Sequence, residues 1–398
     1  MQAKRVLLTD ANERATLAAG RSLVSAGYEV HVVAPSRLSL AGASRSVRSH
    51  VVTQNSLLDP AGFAAAVGQV ADRIGAAVLL PTTDQSVEAV LHHRASLPGH
   101  LRIPLPDLGI YQGSSDKVAL LEVAQAAGFA VPPSHVLRSA ADLLPAGSDS
   151  WFPAVLKPHR SVVSDGGRCR KVGVAFVDRA DALPEQLRAF PQGAFPLLFQ
   201  QRVAGTGEGF FALRWGGRHV AAFAHRRLRE MPPAGGVSVY RESISLAPEL
   251  AQAGWRLLDG LQWSGVAMIE CKRDLRTGRH VVMEVNGRFW GSLQLAVDAG
   301  VDFPALLVRC ALGEHVSEQN AYQTGIRSRW FWGDVDHLYL RLRRSAAELH
   351  LDSQAPSRLE ALGRFFSFRP GQDRWEVWRW RDPGPPLVEA LRRFGMLR

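Results

Sequence analysis

Gly265-Val266-Ala267-Met268-Ile269-Glu270 and His280-Val281-Val282-Met283-Glu284-Val285-Asn286, linked through Arg276-Thr277-Gly278, decide how this chain is read. Both arms have strand-type alternation and Thr-Gly between them is turn chemistry, so the stretch predicts a β-hairpin. A hairpin centred on Thr277 sets Glu270 opposite Glu284 and Met268 opposite Asn286. Residues two apart share a face, so Glu270, Glu284 and Asn286 project together. Facing carboxylates lie roughly 5 Å apart and repel unless a positive charge sits between them. Two carboxylates and an amide oxygen are hard ligands that suit magnesium, with manganese as a substitute. The other reading of the same residues is two solvated glutamates on an edge hairpin. Gly287-Arg288, just beyond, favours the metal: glycine permits close approach to a phosphate, and arginine grips one with two bonds.

Working outward toward the N-terminus, Arg5 to Thr9 and Glu29 to Ala34 predict buried strands flanking a helix over 15–26. A helix over 63–74 and a strand over 77–81 repeat the strand–helix–strand order of a parallel sheet. The first turn reads Thr9-Asp10-Ala11-Asn12-Glu13, without the glycine pattern of a dinucleotide site. Thr82, Thr83 and Asp84 follow a strand end, where ligands sit in open α/β sheets, yet Asp84 equally suits a helix cap. Ser114 to Lys117 opens a helix that Gly128 stops. The chain divides near Gln112 and near Leu312: an open α/β unit over 1–112, an α+β unit over 113–312, and an Arg- and Trp-rich extension over 313–398 with a strand pair near 375–380.

Two further stretches carry chemistry. Phe152-Pro153-Ala154-Val155-Leu156-Lys157-Pro158 is an apolar strand with a lysine near its end, which either snorkels outward or meets an anion. The polar run after it, 159–171, contains Gly166-Gly167, Arg168 and Arg170 and predicts a loop that closes over phosphates. Pro196 to Gly205 is another apolar strand; it ends in Gln200-Gln201-Arg202-Val203, whose backbone and side-chain amides suit a base edge, with Glu208 beyond for ribose hydroxyls.

The order Asp116-Lys117, Phe152 to Pro158, Phe199 to Gly205, Gly265 to Glu270 and Met283-Glu284-Val285-Asn286-Gly287-Arg288 resembles the ATP-grasp superfamily, nearest to its carbamoyl-phosphate-synthase-like carboxylate–amine ligases. The resemblance covers about residues 1–312. It implies an N-terminal pre-ATP-grasp α/β domain, a two-lobed ATP-grasp domain whose nucleotide-clamping lobe spans about 130–205, and a C-terminal α+β extension packed on the core. It also implies that Lys117 and Lys157 hold nucleotide phosphates, Gln200, Gln201, Arg202 and Val203 the adenine, and Glu208 the ribose. Glu270, Glu284 and Asn286 would bind magnesium, and Arg288 would stabilise the transferring phosphoryl group or the acyl phosphate. The hinge reads Gln200-Gln201-Arg202 in place of the commoner Gln-Glu-aromatic pattern.

The activity so implied is ATP-dependent joining of a carboxylate to an amine through an acyl phosphate. A phosphotransferase and a non-catalytic nucleotide-binding regulator are the rivals. Between hinge and hairpin, His225 to Glu230 and Met231 to Ser238 form a basic strand and a glycine-bounded loop. Arg227, with Arg229 and Ser238, is the expected substrate contact; a solvated basic strand is the plainer reading. The C-terminal tryptophans form either a stacking surface or a local core.

Composition bounds these readings. With 398 residues, 46% apolar and 21% charged, the chain is long enough for several cores. No apolar run approaches a bilayer's thickness and no signal-like N-terminus is present, so a cytoplasmic protein is expected. Three scattered cysteines predict neither a disulfide framework nor a zinc site. The formal charge of +10 comes mostly from arginines spread along the chain, with a denser tract from Arg327 to Arg344; no nucleic-acid motif accompanies them, and small anionic partners explain part of the charge equally well. The oligomeric state stays open, a homodimer included.

Overall fold

Four strands near the N-terminus, β1 (Arg5–Leu8), β2 (Glu29–Ala34), β3 (Ser49–Val52) and β4 (Val78–Leu80), lie parallel in the order β3-β2-β1-β4. The computed structural model describes residues 4–165, 168–352 and 354–396. Helices α1 (Arg14–Ser25), α2 (Pro60–Ile74) and α3 (Asp84–His92) cover this sheet. Its inner strands are apolar on both faces because helices lie on both sides, which makes them legible as continuous runs. Thr83 caps α3 by accepting from the Ser86 N–H. Asp84 is therefore the first helical residue, and its carboxylate is free for another task.

Helices α4 (Leu108–Ser115) and α5 (Lys117–Ala127) lead out of the domain. Asp116 caps α5 by accepting from the Val118 and Ala119 N–H groups, and Gly128 ends it with φ 105°. The expected boundary at Gln112 thus falls inside a helix.

Six strands come next: β5 (Ser134–Leu137), β6 (Ala154–Pro158), β7 (Val162–Asp165), β8 (Arg168–Lys171), β9 (Ala175–Val177) and β10 (Leu197–Gln201). Four of them form an antiparallel sheet, β5-β10-β6-β9. One face packs Leu156, Val177 and Phe199 against Leu187 of α6 (Leu183–Ala189). Alternation sends Val155, Lys157 and Gln200 to the opposite face. Strands β7 and β8 pair separately as a hairpin. This is the segment expected to be a loop, and its Gly166-Gly167 lies outside the described residues.

The largest sheet has the order β15-β14-β11-β12-β13-β16-β17, built from β11 (Gly205–Trp215), β12 (Arg218–Met231), β13 (Val237–Ser243), β14 (Gly265–Asp274), β15 (His280–Asn286), β16 (Arg327–Arg329) and β17 (Asp373–Trp375). Helix α7 (Pro248–Gly260) and α5 cover one face, where Leu120 and Leu257 meet Phe210 and Ile269. On the other face Phe211, Phe223 and Met268 share a core with Leu17 of α1, Leu293 of α8 (Leu293–Ala299) and Val308 of α9 (Phe303–Ala311). Each such buried side chain contributes about 1.5–3 kcal/mol, so the N-terminal sheet and the large sheet form one body.

Past residue 312 the chain adds α10 (Phe331–Arg343), α11 (Arg358–Phe366) and α12 (Gly384–Arg393). The strand pair expected near 375–380 is not formed as such: only Asp373–Trp375 is a strand, and it joins β16 in parallel. The extension therefore completes the large sheet as well as packing on it. The C-terminal tryptophans differ in burial. Trp330 lies under the Arg14 guanidinium and donates to Glu389 at 2.7 Å, whereas Trp380 is 89% exposed. Cys271 and Cys310 are buried free thiols, and among the described residues no helix is long and apolar enough to cross a membrane.

Candidate active site

The face of the large sheet that is apolar near α1 turns charged toward the other end of β14, and the free face of the β5-β10-β6-β9 sheet stands across from it. Between them is a cleft of about 540 Å³. Lys157, Gln200 and Phe176 line one side; Glu270, Glu284 and Asn286 line the other.

The hairpin pairs as its sequence predicts, Glu270 with Glu284 and Met268 with Asn286. Nearer the turn the register slips by one, so that Cys271 faces Val282. This bulge at Met283 leaves the pairing of the acidic residues intact while re-aiming the strand. Each carboxylate already has a cation from the chain. Arg227 Nη2 lies 2.5 Å from Glu270 Oε2, and Lys117 Nζ lies 3.5 Å from Glu284 Oε2. Asn286 donates to Glu284 Oε1 at 3.0 Å and accepts from Arg288 at 2.9 Å. Burial pushes the Glu270 carboxyl above its ordinary range; Arg227 opposes this and the charge of Glu284 adds to it. Burial also acts on Glu284, but Lys117 and the Asn286 bond outweigh it and hold that carboxyl low.

Lys157 is buried, with its ammonium donating to Gln200 Oε1 at 2.8 Å. Burial and the charge of Lys117 pull it down to about 8, against the attraction of Glu284 and Glu270. Two lysines and two glutamates thus face one another in a cleft with space between them.

Arg288, the expected phosphoryl contact, is held from the N-terminal domain. Its Nε and Nη2 donate to Asp84 at 3.1 and 2.9 Å, and Tyr111 donates to the same carboxylate at 3.0 Å. Burial raises Asp84, but the charge and bonds of Arg288 prevail and keep it ionised. Gly287 has a packing reason that its sequence reading lacked: a β-carbon there would strike Trp263 and Tyr111.

Other expected residues are placed differently. Glu208 points to the opposite face of β11, buried against His280 Nε2 at 2.8 Å, and does not line the cleft. Register explains this, since Glu208 pairs with Cys271, one step out of phase with Glu270. Arg229 is drawn away by Asp334 of α10, with bonds of 2.5 and 2.7 Å. Arg227 does line the cleft, but its guanidinium spans Glu270, Glu230 and the Gly236 carbonyl. Ser238 lines it too, with a buried hydroxyl that has no partner among the described residues. At the hinge, Gln200, Gln201, Arg202 and Val203 all line the cleft. The N–H groups of Gln201 and Arg202 donate to Pro133 and Pro153, and the Val203 carbonyl accepts from Lys272 at 3.1 Å. The Arg202 side chain turns out to Asp352.

Sequence reasoning missed His225, Glu230 and Lys272. His225 is fully buried at the cleft, and neither ring nitrogen has a partner among the described residues. Burial, with the charges of Arg227 and Arg241, drives its pKa well below the ordinary value, so the ring is neutral. A signal was present in Gly205-Thr206-Gly207-Glu208-Gly209: a β-carbon at Gly207 would run into Arg227 and Glu230, and one at Gly209 into the Phe211 ring, against which His225 packs edge-on. Alternate glycines clear one face of β11 so that cross-strand side chains can lie over it.

Two antiparallel layers closing on a cleft, with lysines from one side and a carboxylate hairpin on the other behind a parallel α/β domain, are the arrangement of the ATP-grasp fold. A family model described as ATP-grasp in the biosynthetic pathway with Ter operon matches residues 209–333. The carbamoyl phosphate synthase large chain of Thermotoga maritima is 25% identical over 278 residues, covering 64% of this chain and 24% of that protein. The chain thus spans about a quarter of the length of the curated relatives it matches. Among solved structures, an ADP complex of N5-carboxyaminoimidazole ribonucleotide synthetase superposes with TM-score 0.62 at 13% identity, covering 80% of each chain. A β,γ-ATP complex of biotin carboxylase from Campylobacter jejuni gives 0.65 at 16% identity, covering 82% of this chain and 74% of the other.

Proposed function

We propose that this protein is an ADP-forming ligase that activates a carboxylate with ATP as an acyl phosphate and joins it to an amine. The observation that carries the reading is the cleft itself. Lys117 and Lys157 converge on Glu270, Glu284 and Asn286, and Arg288 is fixed beside them by Asp84. The donor set fits magnesium: two carboxylates and an amide oxygen on one hairpin face. Among the described residues no three His, Cys, Asp or Glu side chains gather into a cage. A part-shell of this kind suits an ion that keeps water and phosphate oxygens as ligands. Glu270, Glu284 and Asn286 would hold it. Magnesium, when bound, neutralises charge between two anionic reactants and orients them for in-line attack.

The chain's own groups do the rest. Lys117 and Lys157 grip the polyphosphate, the 200–203 hinge borders the base, and Arg288 neutralises charge at the reacting oxygen. The substrate carboxylate oxygen bonds to the terminal phosphorus and ADP leaves. The amine then bonds to the acyl carbon, which releases phosphate carrying that oxygen, and the amine proton passes to phosphate or water. The β7–β8 hairpin serves as the lid that excludes water meanwhile. Substrates are small molecules, and the compartment is the cytoplasm. ADP release measured against pools of carboxylates and amines tests the reading. Release that needs both pools supports ligation, and release with a carboxylate or alcohol alone supports phosphotransfer.

A further inference from the structure

A second cavity, of about 470 Å³, lies on the far side of the Arg227–Glu230 ion pair. Arg227, Glu230 and Gly207 line both cavities, and the Arg227 and Glu230 side chains lie over Gly207, so this ion pair is what separates them. The second cavity is walled by the C-terminal extension, through α10, α11 and Leu351, Ala355 and Pro356, so it uses parts of the chain to which the ATP reading gives no task. Its lining is arginine-rich: besides Arg227 it contains Arg229, Arg327, Arg341, Arg364 and Arg369, against one acidic residue, Glu230.

The counter-charges nearby are spoken for. Asp334 is shared by Arg229 and Arg329, and Glu242 by Arg226 and Arg327. Asp373 accepts from the Tyr240 hydroxyl and the Arg369 N–H. Arg341 and Arg369 have no carboxylate partner among the described residues, and Arg364 has only the charge of Glu360, four residues earlier on its own helix. Arg341 is only 6% exposed, and the acceptor it does have is the Pro356 carbonyl. A guanidinium carries five N–H donors, and a buried charge without a counter-ion is costly. Burial and the charge of Arg358 lower the pKa of Arg341, as expected where no anion offsets them. His337 bonds to the Glu230 carbonyl and burial lowers its pKa, so it adds a neutral ring.

We infer that this cavity binds the anionic end, a phosphate or a carboxylate, of one of the ligase's two co-substrates, whose reacting end reaches the ATP cleft past the Arg227–Glu230 pair that borders both. The inference rests on the proposed ligase reading for the word co-substrate and on the arginine cavity alone for the anion. Planar forks that bond two oxygens at once are the natural receptors for either group.

The test uses the full chain saturated with Mg-ADP, titrated calorimetrically with glycerol 3-phosphate and, separately, citrate. Arg364 and Arg369 are exposed at the rim, so the R364E/R369E variant should fold. Loss of two charge-assisted contacts should weaken the better probe at least about 10-fold while Mg-ADP affinity stays unchanged. The tighter probe tells phosphate from carboxylate. In the pool screen, the productive co-substrate carries such a group, and the variant raises its KM with kcat retained. The inference is overturned if neither probe binds while Mg-ADP does, if the variant binds the probe as well as wild type, or if a neutral co-substrate turns over equally well. Probe binding lost in the variant, in a protein that fails to bind Mg-ADP, would instead sink the ligase reading and leave the anion site standing.

Discussion

Replacing Lys157 by methionine separates the cost of the buried ammonium from its use. Burial holds its pKa at about 8, against 10.5 for the free side chain. The depression corresponds to about 3 kcal/mol of native-state destabilisation while the amine is charged. Because the folded pKa is lowered, the unfolded chain binds more protons between about pH 8 and 10.5, and this contribution to stability rises with pH across that window. Lys157→Met removes the charge and roughly keeps the volume; Gln200 Nε2 keeps its bond to Ser134 at 3.0 Å, while its Oε1 loses the lysine donor. The nucleotide-free variant should be as stable as wild type or more so at pH 7, by up to about 3 kcal/mol.

Nucleotide binding should respond in the opposite sense. A polyphosphate favours the charged amine, so wild-type affinity for Mg-ADP should fall as pH rises above 8, toward about 10-fold per unit. The variant should bind weakly with no such slope. Urea melts at pH 7 and 9.5, with calorimetric titration of Mg-ADP at both, check this. A wild-type affinity that is flat from pH 7 to 9.5, or a variant that keeps the slope, would refute the assignment of Lys157 to the phosphates.

Other residues give independent checks. Arg227→Met strands two partly buried carboxylates, Glu270 and Glu230, and should cost about 3 kcal/mol in urea unfolding. Magnesium chloride alone should recover part of that loss; no recovery would count against Glu270 as a ligand. Glu389, beside Trp330, is pushed up to about 7 by burial. Its charged form is disfavoured in the fold, so its contribution to stability is lost as pH rises from about 4.5 to 7. Glu389→Gln should therefore stabilise by up to about 3 kcal/mol at pH 8 and hardly at all at pH 4.5, as read from urea midpoints. Glu284→Ala should leave circular dichroism unchanged and abolish magnesium-dependent ADP release; a folded variant with normal turnover would remove the metal assignment.

Local patterns made much of this protein legible. The strands at Arg5–Leu8 and Glu29–Ala34 are runs of apolar residues between glycine, proline and polar breaks, and the Asp116 cap and Gly128 stop of α5 are written in residue types. The Glu270–Glu284 pairing followed from turn chemistry and period-two geometry. What stayed hidden depended on register and on distant partners. Glu208 lies three residues from the hinge strand's glycine, yet its face is set by pairing with β14. Arg229 follows Arg227 by two, but β12 shifts register between them and Asp334, over a hundred residues away, draws it off. Asp84 reads as a helix cap until Arg288 folds back upon it from another domain. The parallel junction of β17 with β16 joins segments more than forty residues apart and has no local signature.

The central claim, that a carboxylate is activated through its own oxygen, is tested most directly by isotope transfer. With the co-substrates found in the pool screen, a carboxylate labelled with heavy oxygen is turned over and the released phosphate is examined by mass spectrometry. The account predicts one labelled oxygen in each phosphate and an amide product that has lost one. Unlabelled phosphate, or a product that keeps both labelled oxygens, would contradict it.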